Sequence, residues 1–306
     1  MSIVQGLDNL PDNWQQCAVA VGVFDGVHWG HHAILQRLIA QAAAAGVNPA
    51  LLTFDRHPAE VLAPTRAPEY ITTLDQRVEL MQAAGVSEIV IAEFNHALAD
   101  LTHEEFLESV LVDAMRAREM VVGANFRFGK DRRGDIRYLS SAAPKLDIGL
   151  TVVPAVIVND GPVSSTRIRA LISRGDVVAA SKLLGRGFAL RGRVVAGKQI
   201  GRALGFPTAN IETAPRQLLP ATGVYAVEST IGTTVHDGVC NIGSRPTFGG
   251  GAQTVEVHLA GFEGDIYGQT IDVIFRRHLR DEMTFESPEH LAEQIKADLD
   301  RAGRGL

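Results

Sequence analysis

Over residues 17–123, short apolar runs alternate with longer amphipathic segments, and this alternation restricts the fold more than any other feature of the 306-residue chain. The run "CAVAVGVF" from Cys17 reads as a buried strand. "HHAILQRLIAQAAAAG" follows as a helix, with Ile34, Leu35, Leu38 and Ile39 on one face and Gly46 suited to the C-terminal cap. "NPALLTF", "SEIVIAEF" and "REMVVGANF" supply three further strands, and "TLDQRVELMQAAG" and "THEEFLESVLVDAM" supply helices between them. Strand and helix in strict alternation predict a parallel sheet covered by helices on both faces, an α/β domain.

The pattern changes after "SSTRIRALISRGDVVAASKLLG". From Phe188, the β-rich runs "FALRGRVV", "GVYAVEST", "HDGVCNIG", "QTVEVHLA" and "TIDVIF" follow one another with turn residues and no helix between them. That predicts antiparallel strands closing into a small β-barrel. The tail "SPEHLAEQIKADLDRAG" predicts a C-terminal helix, begun by Ser287 and Pro288, with Leu291, Ile295 and Leu299 on the stripe that packs against the barrel. The chain is long enough for two cores, and the change of period divides it into 1–184 and 185–306.

Lys and Arg number 29 against 35 Asp and Glu, a net charge of −6, so the basic excess that nucleic acid or an anionic membrane surface attracts is missing. Small molecules are the expected partners, with no nucleic acid and no membrane; oligomerisation is left open. No stretch approaches eighteen uninterrupted apolar residues, and the first residues lack the basic-then-apolar order of an export signal. With two cysteines far apart, Cys17 and Cys240, the expected location is the cytoplasm.

Candidate chemistry concentrates first in "GVFDGVHWGHH", residues 22–32. Gly22, Gly26 and Gly30 allow the strand-to-helix turn to approach an anion, and the N–H groups of the helix that follows favour phosphate. His28 and His31, three residues apart at the helix mouth, can both donate to phosphate oxygens. Two other readings of the pair are helix capping and a metal pair, although no third ligand lies nearby in sequence.

"GVFDGVHWGH" resembles the phosphate-binding signature of HxGH nucleotidyltransferases, and "SSTRIR" resembles their second phosphate motif. Together with "TFDRHP" and "VVGANFRFGKDRRGD" they are similar to the adenylyltransferase half of prokaryotic bifunctional riboflavin kinase/FAD synthetases. The resemblance implies a Rossmann-like nucleotidyltransferase domain in which His28 and His31 stabilise the charge that builds on an α-phosphate. It further implies that Gly22, Phe24 and Asn125 hold the nucleotide and that Ser165, Thr166 and Arg169 clamp its triphosphate. Phe54, His57, Pro58 and Phe128 would form the flavin-side wall, against the alternative of plain core packing. Trp29 departs from the family's usual smaller or basic residue, and either shields the nucleotide or covers the domain surface.

In the second half, "GRVVAGKQ" nearly spells a P-loop, but Gln199 replaces the required hydroxyl residue and no helix follows. "GRALGFPTANI", "NIGSRPTFGG", "VEVHLAGFEGDIYG" and "RRHLRDEMTF" resemble, in order, the riboflavin kinase module of the same family. Gly201, Gly205, Thr208 and Asn210 are then the nucleotide-binding residues, and the oxygens of Thr208 and Asn210 suit Mg²⁺, although such residues in a turn also make local backbone bonds. Glu256 takes the place of the general base, and Arg280 and Phe285 that of flavin contacts on a flap. Ala260 and Gly261 stand where a Leu-Asp pair is common.

The implied enzyme phosphorylates riboflavin with ATP to FMN in the C-terminal domain, and adenylylates FMN with ATP to FAD in the N-terminal domain, with Mg²⁺ required by both. Two rival readings are an adenylyltransferase for another phosphate acceptor and a flavin-binding regulator without catalysis.

Overall fold

The structure, a computed structural model, describes residues 2–197, 205–244 and 253–303. By its contacts the chain divides into two units, one of residues Met1–Pro68 and Leu74–Ser164, the other of Glu69–Thr73 and Ser165–Leu306.

The first unit is built on six strands, β1 (Ser2–Gln5), β2 (Cys17–Val21), β3 (Asn48–Phe54), β4 (Glu88–Ala92), β5 (Ala117–Gly123) and β6 (Gly149–Val153). All five pairings are parallel, in the order β1-β4-β3-β2-β5-β6. The order runs one way from β2 through β3 to β4 and the other way to β5, so the carboxyl ends of β2 and β5 flank the switch point where sheets of this kind bind ligands. Six helices belong to this unit: α1 (Trp29–Ala45), α2 (Pro58–Leu62), α3 (Leu74–Ala83), α4 (His96–Asp100), α5 (His103–Glu105) and α6 (Ile136–Ala142). A π-helical segment, Phe106–Ala114, continues α5.

The run at β2 is apolar throughout because both faces are covered. Cys17, Val19 and Val21 enter a core shared with Phe106, Leu107 and Leu111. Ala18 and Ala20 enter another with Leu35 and Leu38 of α1. A two-residue hairpin, β7 (Ile157–Val158) with β8 (Gly161–Pro162), completes the unit.

The second unit opens with α7 (Ser165–Ser173) and α8 (Val177–Leu184). Its strands β9 (Phe188–Val195), β10 (Ala209–Thr213), β11 (Gly223–Ile231), β12 (Thr234–Ser244), β13 (Gln253–Leu259) and β14 (Thr270–Arg280) close antiparallel into a barrel, β10-β13-β12-β11-β14-β9. Phe188, Leu190, Tyr225, Ile242, Val257 and Phe275 are all buried. The final helix, α9 (Pro288–Gly303), packs on the barrel through Leu299 and Ala302 against Val224, Ala226 and Val239.

The sequence boundary after residue 184 and the contact boundary after Ser164 differ by α7 and α8. Leu183 and Leu184 of α8 are buried, and α8 packs on β9 and β14.

Parallel sheet, antiparallel barrel and terminal helix follow the expectation, while β1, β6 and β10 were not anticipated as strands. β1 is four residues long at a sheet edge, with no fully buried position. β6 lies at the opposite edge and fully buries only Val153. β10 fully buries only Ile211, so no apolar run announces it.

Candidate active sites

His28 is the N-cap of α1, and its Nδ1 accepts the His31 backbone N–H at 3.3 Å. The capping reading is therefore met, and it does not compete with the chemical one. With Nδ1 accepting, the neutral ring carries its proton on Nε2, which makes Nε2 a donor. The two rings stack with centroids 3.7 Å apart and planes 12° apart, and Phe24 packs on His31 at 5.1 Å with its ring tilted by 60°. His28 is 5% exposed.

Backbone strain marks the turn. Phe24 and Val27 have φ of 52° and 36°, a region that β-branched and bulky residues avoid. Val27 N donates to Phe24 O, and the carbonyl of Val23 accepts from Arg77 Nη1 at 2.6 Å and Thr53 Oγ1 at 3.4 Å. Arg77 is 1% exposed and also reaches Phe54 O, so one buried guanidinium ties the turn after β2 to the end of β3.

Gly30 leaves the His28 ring its room. A β-carbon there would lie 3.0 Å from His28 Cε1, so the ring would have to shift by a few tenths of an ångström. Gly22 is equally close to Phe24, at 3.1 Å. Across the switch point, Asn125 follows β5, and its Oδ1 and Ile34 Cδ1 of α1 each lie 3.4 Å from where a β-carbon of Gly123 would stand.

The proposed flavin-side residues are found in packed surroundings. Phe54 meets Phe94 edge-on at 5.3 Å, and Phe128 stacks on Phe126 at 5.4 Å, all four within one core cluster. His57 caps α2 by accepting from Ala59 N, with Pro58 in the first turn. Ser165 and Thr166 open α7 in the second unit, and Arg169 Nε donates to Glu69 O at 2.7 Å. Trp29, at the first position of α1, is 46% exposed and packs on His32.

In the barrel, strand register aligns the candidate residues. Arg280 of β14 opposes Val224 of β11, Val224 opposes Asn241 of β12, Asn241 opposes Glu256 of β13, and Glu256 opposes Asn210 of β10. Directly opposed residues share a face, so Arg280, Val224, Asn241, Glu256 and Asn210 form one row across five strands, polar at every position except Val224. Val255 and Val257 take the other face and are buried. Gly197 allows this arrangement, since a β-carbon there would collide with Asn210 Nδ2. The glycine of the near-P-loop thus makes room for the asparagine.

Two cavities meet at Thr208. One, of about 240 Å³, is lined by Thr208, Asn241, Glu256, Arg280 and Phe285, and by Leu291 and Ile295 of α9. The other, of about 490 Å³, is lined by Thr208, Pro207, Val194, Phe262 and Tyr267. His258, two residues beyond Glu256 on the same face, has Nδ1 2.8 Å from Pro207 O and so ties β13 to the segment carrying Thr208. Gly205 has φ 86°. Gly201 lies outside the described residues.

Arg77, Asn241, His258 and Asp298 were not singled out by sequence. Arg77 shares a helical stripe with Leu74 and Met81, and Asp298 with Ile295 and Ala302. A charge on an apolar stripe was the available signal in both cases.

A parallel sheet with two imidazoles at a helix mouth, joined in one chain to a barrel whose candidate carboxylate lines a cavity that shares Thr208 with a second one, fits a two-domain transferase of phosphorus-containing groups. Comparison with known proteins narrows the class. The FAD synthetase family model matches residues 10–167 and the riboflavin kinase model residues 184–306. Proteins named bifunctional riboflavin kinase/FMN adenylyltransferase are similar over nearly the whole chain. The Pseudomonas fluorescens protein is 40% identical, covering 100% of this chain and 98% of its own; that of Escherichia coli K12 is 36% identical over 97% and 96%; that of Bacillus subtilis is 33% identical over 94% and 91%. The chain belongs to the bifunctional riboflavin kinase/FMN adenylyltransferase family. A solved structure from Streptococcus pneumoniae, titled a macrolide-efflux protein, superposes with a TM-score of 0.89 at 31% identity, covering 100% of this chain and 99% of its own. Among the described residues, no helix is long and apolar enough to cross a membrane.

Proposed function

We propose that the barrel transfers the γ-phosphoryl group of ATP to the 5′-hydroxyl of riboflavin, and that the N-terminal domain transfers AMP from a second ATP to the FMN phosphate, releasing pyrophosphate. The observation that supports this most directly is the polar row ending in Glu256 and Asn210, beside a residue, Thr208, common to two cavities.

In the kinase step a base must take the hydroxyl proton as oxygen attacks phosphorus. Glu256 lines the smaller cavity, so that cavity takes the flavin, whose rings suit Phe285, Leu291 and Ile295. The larger cavity, on the other side of Thr208, takes the nucleotide. The donor set also fits Mg²⁺: the Thr208 hydroxyl and the Asn210 side-chain carbonyl are hard, neutral oxygens that would hold it beside the nucleotide phosphates. When bound, Mg²⁺ supplies neutralisation of phosphate charge. His258 holds the Thr208 segment in place through the Pro207 carbonyl.

In the adenylyl step the FMN phosphate displaces pyrophosphate from the α-phosphorus in one in-line exchange. His28, donating through Nε2, and His31 stabilise the charge on the α-phosphate without becoming covalently attached. Asn125, Ser165, Thr166 and Arg169 are assigned to nucleotide and triphosphate, and Phe54, His57, Pro58 and Phe128 to the flavin side, by their match to the family motifs. The substrates are small molecules, and the cytoplasm is where ATP and reduced, buried thiols would be found together.

The test is a time course of purified protein with riboflavin, ATP and Mg²⁺, with flavins separated by chromatography. FMN should rise and then convert to FAD, and chelation of Mg²⁺ should stop both steps. FMN accumulating without FAD would leave the N-terminal acceptor unassigned.

A further inference from the structure

Asp298 is 1% exposed, yet it is a carboxylate on the last helix, away from every family motif quoted above. It is held from two sides. Arg280 Nε donates to its Oδ1 and Oδ2 at 3.2 and 3.0 Å, and Nη2 lies 2.9 Å from Oδ2. Gln294, one turn earlier on α9, donates Nε2 to Oδ1 at 2.9 Å. The guanidinium is therefore fixed in plane by a fork–fork pair, with Nη1 held by the Asp281 carbonyl. The Phe285 ring lies over it, 5.8 Å from the guanidinium carbon to the ring centroid. Arg280, Asp298 and Phe285 line the Glu256 cavity together.

We propose that Asp298 is a positioning residue for flavin binding. By anchoring Arg280 it supplies the fixed platform on which Phe285 rests, and so shapes the flavin side of the cavity while leaving the phosphoryl-transfer groups untouched. The inference rests on the assignment of riboflavin to that cavity.

The experiment measures steady-state riboflavin phosphorylation by the full chain for Asp298→Asn, Phe285→Leu and the double variant, with Glu256→Gln as reference. Asparagine keeps the volume and the Gln294 contact but loses the charge. The expected result for Asp298→Asn is a riboflavin KM raised about tenfold, with kcat and ATP KM within about threefold, the split that marks lost binding common to ground and transition states. Phe285→Leu should move KM the same way, and the double variant should show no more than the larger single effect, because both act through one platform. A fall in kcat at constant KM, equal rises in both KM values, or additive effects in the double variant would overturn the proposal. Should Asp298→Asn fail to fold, Arg280→Lys, which keeps the charge and loses the fork, carries the same expectation, and an unchanged riboflavin KM would overturn it. Glu256→Gln separates the two readings: if it retains full kinase activity, the cavity assignment is wrong, whereas an inactive Glu256→Gln beside an unaffected Asp298→Asn rejects the platform alone.

Discussion

The two candidate sites are held in opposite ways. At the N-terminal site the candidate side chains belong to a turn and a helix mouth, and their geometry depends on positive-φ backbone at Phe24 and Val27, a buried arginine under Val23 and a glycine beneath an imidazole. In the barrel, Glu256, the candidate base, and its neighbours stand on paired strands of a closed sheet, where register aligns them. A turn can bring backbone N–H groups and side chains to one phosphate but must be braced from below. In a closed sheet the strand pairing itself supplies the bracing, and Phe285 and α9 line the cavity from outside the barrel.

That contrast is broken most sharply by single substitutions that should separate the activities. Glu256→Gln is expected to lower FMN formation by about 10²–10⁴, the usual worth of a general base, while adenylylation of supplied FMN continues. His28→Ala should lower FAD formation by about 10²–10³ and leave FMN formation intact, since it removes a charge-stabilising donor. Assaying each half-reaction from its own substrate checks both, and loss of both activities in one folded variant would refute independent sites. Gly30→Ala sharpens the comparison. A β-carbon would displace the His28 ring by a few tenths of an ångström, so FAD formation should fall about tenfold with little change in melting temperature.

The smallest expected effect concerns the thiols, buried in both domains. Burial pushes Cys17 up to about 12 and Cys240 higher still, with Glu88 and Glu256 respectively adding to the shift. Neither thiolate forms at pH 8, so alkylation of the native protein should leave both activities unchanged and modify both cysteines only after unfolding. The sign for stability follows. A raised folded-state value means a contribution intact below the unfolded thiol's 9.0 and lost as pH climbs towards about 12, visible as a falling melting temperature in that window.

Much of this was legible in the residues. The switch from strand–helix alternation to unbroken strands separates parallel sheet from barrel, because the two architectures bury different periodicities. The place of His28 and His31 at a helix start was readable from their spacing, and Thr208, Asn210 and Glu256 were candidates from their motifs. Less legible were the supports. Arg77 and Asp298 each interrupt an apolar stripe, but a charge on such a stripe acquires meaning only when its partner is known, and Val23 and Arg280 are 54 and 18 residues away.

The sequence by itself determined the two fold classes and the family-matched residues, because periodicity and local motifs are properties of short stretches. Tertiary structure alone decided that Asn210, Asn241, Glu256 and Arg280 share one row, that Gly197 clears a place for Asn210, and that buried Asp298 pairs with Arg280. The physical reason is register: which residues oppose one another across strands depends on how the barrel closes, and closure is set by packing among residues far apart in the chain.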